Sequence, residues 1–511
     1  MKMVKSLLLV SAAGLVAVSG AQAADLPVKA KPVEYVKVCS LYGAGFYYIP
    51  GTDICMKVGG YVRYQVNVGT GNSVSGGPFN GTGGTNNRST TQDIVQRARA
   101  VATFDTRQQT AYGTLRTYLL MGYNQDTTVA PSTSPTVYMT RGFIQIAGFT
   151  FGKATSFFDF VSTAAVSYNA GMLWGSDTGD TGQIVGSYTA QFGNGISASI
   201  GIEQTRRAST VYGGAAVTAG VYGFPGGGTN PTADNLGAGA TAGVASHPDV
   251  VGNIRIDQAW GSAQFSAAAH ETSAAYFGVG VGGGTAAVPS FVEGNGHPSN
   301  KWGYAVSGGL RLNAPMFGPG DYFQAQAIYT EGAIKYVSQN SSGGNTLNYF
   351  KGSVVGFGAF EDGVFGGSAV AGLNSIEKTT AWSVMASYEH FWTPALRTSL
   401  YGAYIDVSHN TNATALICAT GNAASTNFGP TCNPDWSSYA IGSRSQWNVT
   451  KDFYVGLDVT YLYLKSASFN STNTPVVLTG GAAQGKGTNL YTTGNQDAVV
   501  AAWRVHRDIV P

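Results

Sequence analysis

Between Met56 and Val68 the chain alternates residue by residue. Met56, Val58, Gly60, Val62, Tyr64, Val66 and Val68 form one set, and Lys57, Gly59, Tyr61, Arg63, Gln65 and Asn67 the other. A period of two belongs to a β-strand whose two faces meet different surroundings. The next stretch repeats it, with Ala98, Ala100, Ala102 and Phe104 opposite Arg97, Arg99, Thr103 and Asp105. Then Leu115, Thr117, Leu119 and Met121 stand opposite Thr114, Arg116 and Tyr118. Near the C-terminus Phe453, Val455, Leu457, Val459, Tyr461 and Tyr463 share a face, with aromatics towards both ends, as an interfacial girdle requires.

Alternation and turn residues place strands near 54–68, 93–107, 111–124, 137–147, 149–156, 183–192, 196–205, 249–260, 262–272, 301–315, 322–332, 379–393, 396–408, 435–450, 453–466 and 497–510. The connections alternate in length. Short ones include Gly148, Gly193-Asn194-Gly195, Gly261, Pro394-Ala395 and Lys451-Asp452. Long ones, mostly rich in Gly, Ser, Thr and Asn, run over 69–92, 125–136, 157–182, 206–248, 273–300, 333–378, 409–434 and 467–496. A soluble β-domain has no reason to segregate its loops this way, whereas a membrane barrel puts short turns at one rim and long loops at the other. The expected fold class is therefore all-β, a sixteen-stranded antiparallel transmembrane barrel over 54–511 with short periplasmic turns and long extracellular loops. A ring of that size is too wide for its own side chains to fill, which predicts a water-filled interior. In the last strand Val499, Ala501, Trp503, Val505 and Ile509 alternate with Val500, Ala502, Arg504, His506 and Asp508, suiting it to close on the first and remove both sheet edges.

The first 23 residues read as an export signal rather than as part of the fold. Lys2 and Lys5 precede the apolar run Leu7 to Val18, and Ala21-Gln22-Ala23 is a small-x-small cleavage site. Residues 24–53 are then expected to be a mature N-terminal periplasmic segment. After residue 23 no 18 consecutive residues are apolar, and the most hydrophobic stretch, Val354 to Leu373, is interrupted by Glu361 and Asp362, so any crossing of a membrane is made by strands.

A net charge of +2, without a basic run, argues against nucleic acid as a partner. Cys39/Cys55 and Cys418/Cys432 lie in two local pairs, read most simply as disulfides in an oxidising compartment; no CxxC and no nearby histidine supports a metal. His247, His270, His297, His390, His409 and His506 are scattered and read as isolated polar positions. No GxSxG or HExxH occurs in a suitable context, so neither an enzyme nor a cofactor is expected.

The chemistry available is charge. Lys57, Arg63, Arg97, Arg99, Arg116 and Arg141 share the water-facing parity of consecutive strands. The connection Phe157 to Gly182 carries Asp159, Asp177 and Asp180. If it folds inward, a basic wall faces an acidic loop at a constriction, with a transverse field that favours small polar solutes. The alternative keeps the arginines as solvated lumen residues and the aspartates on an external loop.

The segments VCSLYGAGFYYIPGTDIC (Val38–Cys55), KVGGYVRYQV (Lys57–Val66), RGFIQIAGFTFGKATSFFDF (Arg141–Phe160) and DWSSYAIGSRSQWNVTKDFYVGLDV (Asp435–Val459) resemble those of the alphaproteobacterial general porins. The similarity runs the length of the chain at strand positions and fades in the long loops. It implies a sixteen-stranded homotrimeric barrel in the bacterial outer membrane, in contact with its lipid, passing small hydrophilic solutes and ions by passive diffusion. It also implies that the loop after Gly152-Lys153, about 157–182, folds into the pore, and it matches both cysteine pairs. Such barrels usually end in an aromatic residue read during assembly; this chain ends Asp508-Ile509-Val510-Pro511, a departure that touches the insertion signal and not the architecture. Small outward residues (Gly60, Ala98, Ala100, Ala102) would let barrels approach closely, although they equally ease strand curvature. Two other readings stay open: a solute-selective channel, for which an aromatic ladder would argue but only scattered inward tyrosines such as Tyr61 and Tyr118 are visible, and an exported surface-binding β-protein.

Overall fold

The computed structural model describes residues 37–69, 94–127, 136–161, 166–168, 173–178, 181–206, 208–213, 246–277, 293–338, 346–351, 354–366, 374–418, 432–468, 476–477 and 490–509. The expected export signal and the first residues of the expected mature segment lie outside them. The chain divides into two units, residues 1–57 and 58–511. In the first, Tyr47–Tyr48 pairs antiparallel with Cys55 and Met56, and the Cys39–Cys55 disulfide sits in a small cluster with Phe46, Tyr42 and Tyr48.

The second unit is a ring of sixteen antiparallel strands. They are β1 (Cys55–Val68), β2 (Ile94–Thr110), β3 (Gly113–Asp126), β4 (Thr136–Ile146), β5 (Phe149–Ala154), β6 (Gln183–Gly193), β7 (Ile196–Glu203) and β8 (Asp249–Gln258). The other half comprises β9 (Gly261–Thr272), β10 (Lys301–Asn313), β11 (Tyr322–Glu331), β12 (Thr380–Phe391), β13 (Leu396–Ser408), β14 (Trp436–Asn448), β15 (Phe453–Lys465) and β16 (Gln496–Asp508). Each pairs with its neighbours in sequence, and β16 closes on β1 from Tyr61↔Asp508 to Val68↔Ala501. Every strand expected from alternation is present, its ends displaced by a few residues at most.

The outer face is apolar. Ile200, Ile254, Phe265 and Leu400 are among many large side chains left more than half exposed on it. An apolar belt of that extent is untenable in water and is what hydrocarbon requires. Aromatics gather near the turn ends of the strands (Trp260, Trp392, Trp447) and near the loop ends (Trp302, Trp382, Tyr439), the positions of two interfacial girdles. The turns are tight because the residues permit it: Gly193, Asn194 and Gly195 all have positive φ, a conformation cheap for glycine and tolerated by asparagine.

Several long connections carry structure of their own, which periodicity did not reveal. Ser209–Gly213 runs parallel to Glu361–Gly366, which also pairs with Glu377–Lys378. Val354–Ala359 pairs with Thr346–Lys351 and lies parallel to Leu490–Thr493. Thr411–Cys418 is a short helix, tied at its end by the Cys418–Cys432 disulfide.

Three histidines at strand ends and in the connections are not isolated. Buried His270 lies between Asp249 and Asp362, at 2.8 and 3.2 Å, and Tyr336 donates its hydroxyl to Asp249. His409 lies between Asp435 and Glu361, at 3.0 and 2.6 Å. His390 contacts Asp321 at 2.7 Å. Carboxylates up to 92 residues away in sequence supply these partners, which is why spacing alone leaves them unseen.

Candidate functional site: the inner wall and the folded-in loop

Strand alternation turns Arg63 of β1, Arg97, Arg99, Asp105 and Arg107 of β2, Arg116, Tyr118 and Asp126 of β3, and Arg141 and Phe143 of β4 to the inside. Register then decides the partners. Arg97 stands opposite Asp126 and binds it with two N–H groups. Arg99 stands opposite Asn124 and donates to its side-chain oxygen at 2.7 Å. Arg107 and Arg116 face each other directly, a like-charge pair that costs free energy on its own. Asp105 resolves it by accepting from both, at 2.9 Å from Arg107 and 3.0 Å from Arg116. Arg116 also reaches Gln145 at 3.1 Å and lies 5.2 Å from the Tyr118 ring, which stacks on Phe143. Arg141 holds Thr140 and Thr155.

On β1 to β4 six guanidinium groups (Arg63, Arg97, Arg99, Arg107, Arg116, Arg141) face two carboxylates (Asp105, Asp126), an excess of four positive charges among these eight groups, with Lys57 on the same parity at the start of β1. All six are partly exposed.

The connection between β5 and β6 folds inward. At its start Ser156 donates to Glu203 at 2.6 Å, and the Phe157 amide donates to the other oxygen of the same carboxylate at 2.7 Å. Asn253 of β8 donates to the Phe157 carbonyl at 2.6 Å, and Gln264 of β9 to the Asp159 carbonyl at 3.2 Å. The loop then reaches a distant part of the wall. Asp458 of β15, fully buried, accepts from the Ser167 hydroxyl at 3.0 Å, the Tyr168 amide at 2.5 Å and the Tyr401 hydroxyl of β13. Tyr168 donates to Gln446 of β14 at 3.1 Å, and Arg504 of β16 donates to its carbonyl at 2.9 Å. Returning, Trp174 packs edge-on to Trp436.

The consequence is asymmetric. Inner residues such as Ser199, Gln264, Gln326, Arg444 and Asp458 are buried beneath the loop and the other connections. The arginines of β1 to β4 stay partly exposed.

The acidic residues of the loop are placed differently from the expectation. Asp159 is turned to Arg206 at 3.2 Å and accepts from Ser176 and Thr178; its side chain is 3 % exposed, so it does not face the arginine wall across water. It anchors the base of the loop. Burial works against the charge of Arg206, but Asp159, Tyr336 and Glu203 outweigh it and hold the guanidinium above its ordinary range. Asp177 is likewise buried, and Asp180 lies outside the described residues. The carboxylates that do meet the arginines, Asp105 and Asp126, come from the wall itself. Alternation shows Asp105 on the arginine face, but its role between Arg107 and Arg116 appears only once register is known. Glu203 and Asp458, the two anchors of the loop, carry no sequence signal beyond inward parity.

The profile of the porin subfamily matches residues 25–500. Porin Omp2b of Brucella melitensis is 36 % identical over 269 residues, covering 51 % of this chain and 64 % of that protein. Porin Omp2b of Brucella suis is 35 % identical over the same shares. The chain thus spans a little under two thirds of the length of the curated relatives it matches. Among solved structures, the outer membrane channel DcaP of Acinetobacter baumannii superposes with a TM-score of 0.54 at 12 % identity, over 90 % of this chain and 99 % of that one, a likeness of fold. Family and barrel together indicate a protein of the outer membrane and not an enzyme. With its closed ring of sixteen strands and a profile match along nearly its whole length, the chain belongs to the porin subfamily.

Proposed function

We propose that the chain forms a water-filled channel through the outer membrane for passive diffusion of small hydrophilic solutes and ions. The observation that carries this reading is the one-sided lumen: the loop after β5 is fastened to the wall from β7 round to β16, and a partly exposed arginine patch lies on β1 to β4. Arg63, Arg97, Arg99, Arg116 and Arg141 form the charged side of the constriction, and the loop over about 157–182 forms its other side. Arginine is cheap there only if water is present, because a buried cluster with four unbalanced charges would be expelled.

Residues 1–23 act as a cleaved export signal and 24–53 as a periplasmic segment, with outer-membrane lipid around the barrel. The working unit is a homotrimer in contact through the flat outer face of β2, where Ala98 and Ala100 are exposed. Gly60 has its own reason to be glycine: a Cβ there would meet the Val101 carbonyl at 2.1 Å.

The test is conductance of the purified protein in planar lipid bilayers under a salt gradient, together with its mass in detergent. Stepwise ion current from a particle of three chains is expected. A folded, inserted protein that passes no current overturns the channel.

A further inference from the structure

Two arginines lie at the seam where the last strand meets the first. Arg97, Arg107 and Arg116 are each ion-paired, whereas Arg63 and Arg504 make no salt bridge among the described residues. Arg63 donates its Nε–H to Nδ1 of His506 at 3.2 Å, and Nε2 of His506 is 3.0 Å from Asp508. A ring that accepts at Nδ1 and donates at Nε2 is neutral, so it does not repel Arg63 and cannot cancel its charge. Among the described residues the terminal N–H groups of Arg63 have no acceptor, and they keep the fork geometry that suits a carboxylate. Arg504 is held by Gln65 and by the Tyr168 carbonyl.

Around these charges lies a set of flat rings. Arg63 is 4.6 Å from the centre of Tyr61; Tyr61 and His506 are 4.7 Å apart; His506 stacks on Tyr454 at 4.6 Å with 16° between planes. Tyr168 follows at 6.4 Å from Tyr454 and lies 4.0 Å under Arg504. The tyrosines that look scattered in sequence are thus gathered by closure of the barrel, and Tyr61, Arg63 and Tyr454 are partly exposed.

We propose that this seam is a binding subsite for planar aromatic carboxylates. The carboxylate takes the terminal N–H groups of Arg63, with the charge of Arg504 behind, and the solute's ring meets the lumen-side edges of Tyr61 and Tyr454, which flank His506. The subsite rests on the channel reading and refines it, because it gives the pore a preference that charge alone does not supply. A saturated ring of the same charge gains the electrostatic contact but loses the ring-on-ring geometry, a difference of about threefold to tenfold in affinity.

The experiment uses single open channels in KCl at neutral pH, with benzoate and cyclohexanecarboxylate added in turn. Benzoate is expected to reduce the current saturably, at half-blocking concentrations about threefold to tenfold below those of cyclohexanecarboxylate. Tyr61→Leu combined with Tyr454→Leu should bring that ratio close to one, and Arg63→Gln should weaken block by both acids. Equal block by the two acids in the unmodified protein, a measurement that needs no variant, overturns the subsite while leaving the channel standing. So does a benzoate preference that survives the double leucine change. An inserted protein that carries no KCl current overturns the channel reading and the subsite with it.

Discussion

Two sides of one ring, built from the same alternation of inward polar and outward apolar residues, end in opposite physical states. From β7 round to β16 many inner polar residues are buried, although towards the turn ends Asp257 and Arg311 stay exposed and Arg255 partly so. Asp458, Glu203 and Glu389 are buried carboxylates whose oxygens are taken up by loop amides, hydroxyls and, for Glu389, by Arg444. From β1 to β4 the inner face is arginine-rich and partly exposed. A polar inner face is therefore not a pore lining in itself. Where a loop brings matching donors it becomes a packing surface, and where the side chains stay partly exposed it keeps its field.

The contrast is broken most severely at Asp458. Asp458→Ala leaves the Tyr168 amide and the Ser167 and Tyr401 hydroxyls without their shared acceptor, at a cost of about 3 kcal/mol or more for donors stranded in a buried site. The loop should detach from that side of the wall. Single-channel conductance is expected to rise and the channel to become noisier, with a lower melting temperature; an unchanged conductance would show that this anchor does not hold the loop in place.

Next in size is charge on the open side. Changing Arg97, Arg99 and Arg116 together to glutamine should shift selectivity towards cations. One unit charge acting at 4 Å through water is worth about 1 kcal/mol, roughly a factor of five in local ion concentration. The reversal potential under a salt gradient reads this directly, and a potential that does not move removes these residues from the constriction.

A smaller effect is expected from pH in the long connections. Burial opposes the charge on His409, but hydrogen bonds to Asp435 and Glu361 raise its pKa to about 9. Because the folded value lies above the ordinary one near 6.5, the stabilisation is complete below about pH 6.5 and is lost as pH rises through about 9. Limited proteolysis should therefore cut near 361–366 or 409–435 faster at pH 9.5 than at pH 6. Equal cutting rates at the two pH values would mean that this histidine does not tie the connections together.

The smallest effect sharpens the comparison from the exposed end. Arg255 and Asp257 form a pair at 2.8 Å with side chains 35 % and 53 % exposed. Asp257→Asn should change stability by about 0.5 kcal/mol or less, as is usual for ion pairs in water. A thermal shift comparable to that of Asp458→Ala would contradict the contrast between buried and exposed polar residues of the inner wall.

How far the sequence could be read follows from the range of each interaction. The sixteen strands were legible because alternation is a local property that a strand of ten residues displays in full. Both disulfides were legible because their cysteines are 16 and 14 residues apart. The inward parity of Arg97 and Arg116 was equally local. Asp159 shows where this stops: its position on an inward-folding loop suggested a partner across the pore, but Arg206, 47 residues later, takes it inside the packed side. The parallel pairing of Ser209–Gly213 with Glu361–Gly366 was invisible for the same reason, since neither segment alternates strongly and each needs the other.

By itself, then, the sequence determined that this chain would form strands with one greasy and one polar face, in a number too large for the centre to be filled, and with charge on the polar face. Each of those properties is written in stretches of a few residues. The tertiary structure alone decided which part of the polar face stays wet. That choice depends on closure bringing Arg63 beside His506, and on a loop finding Asp458 some 290 residues away, contacts between residues that no local pattern joins.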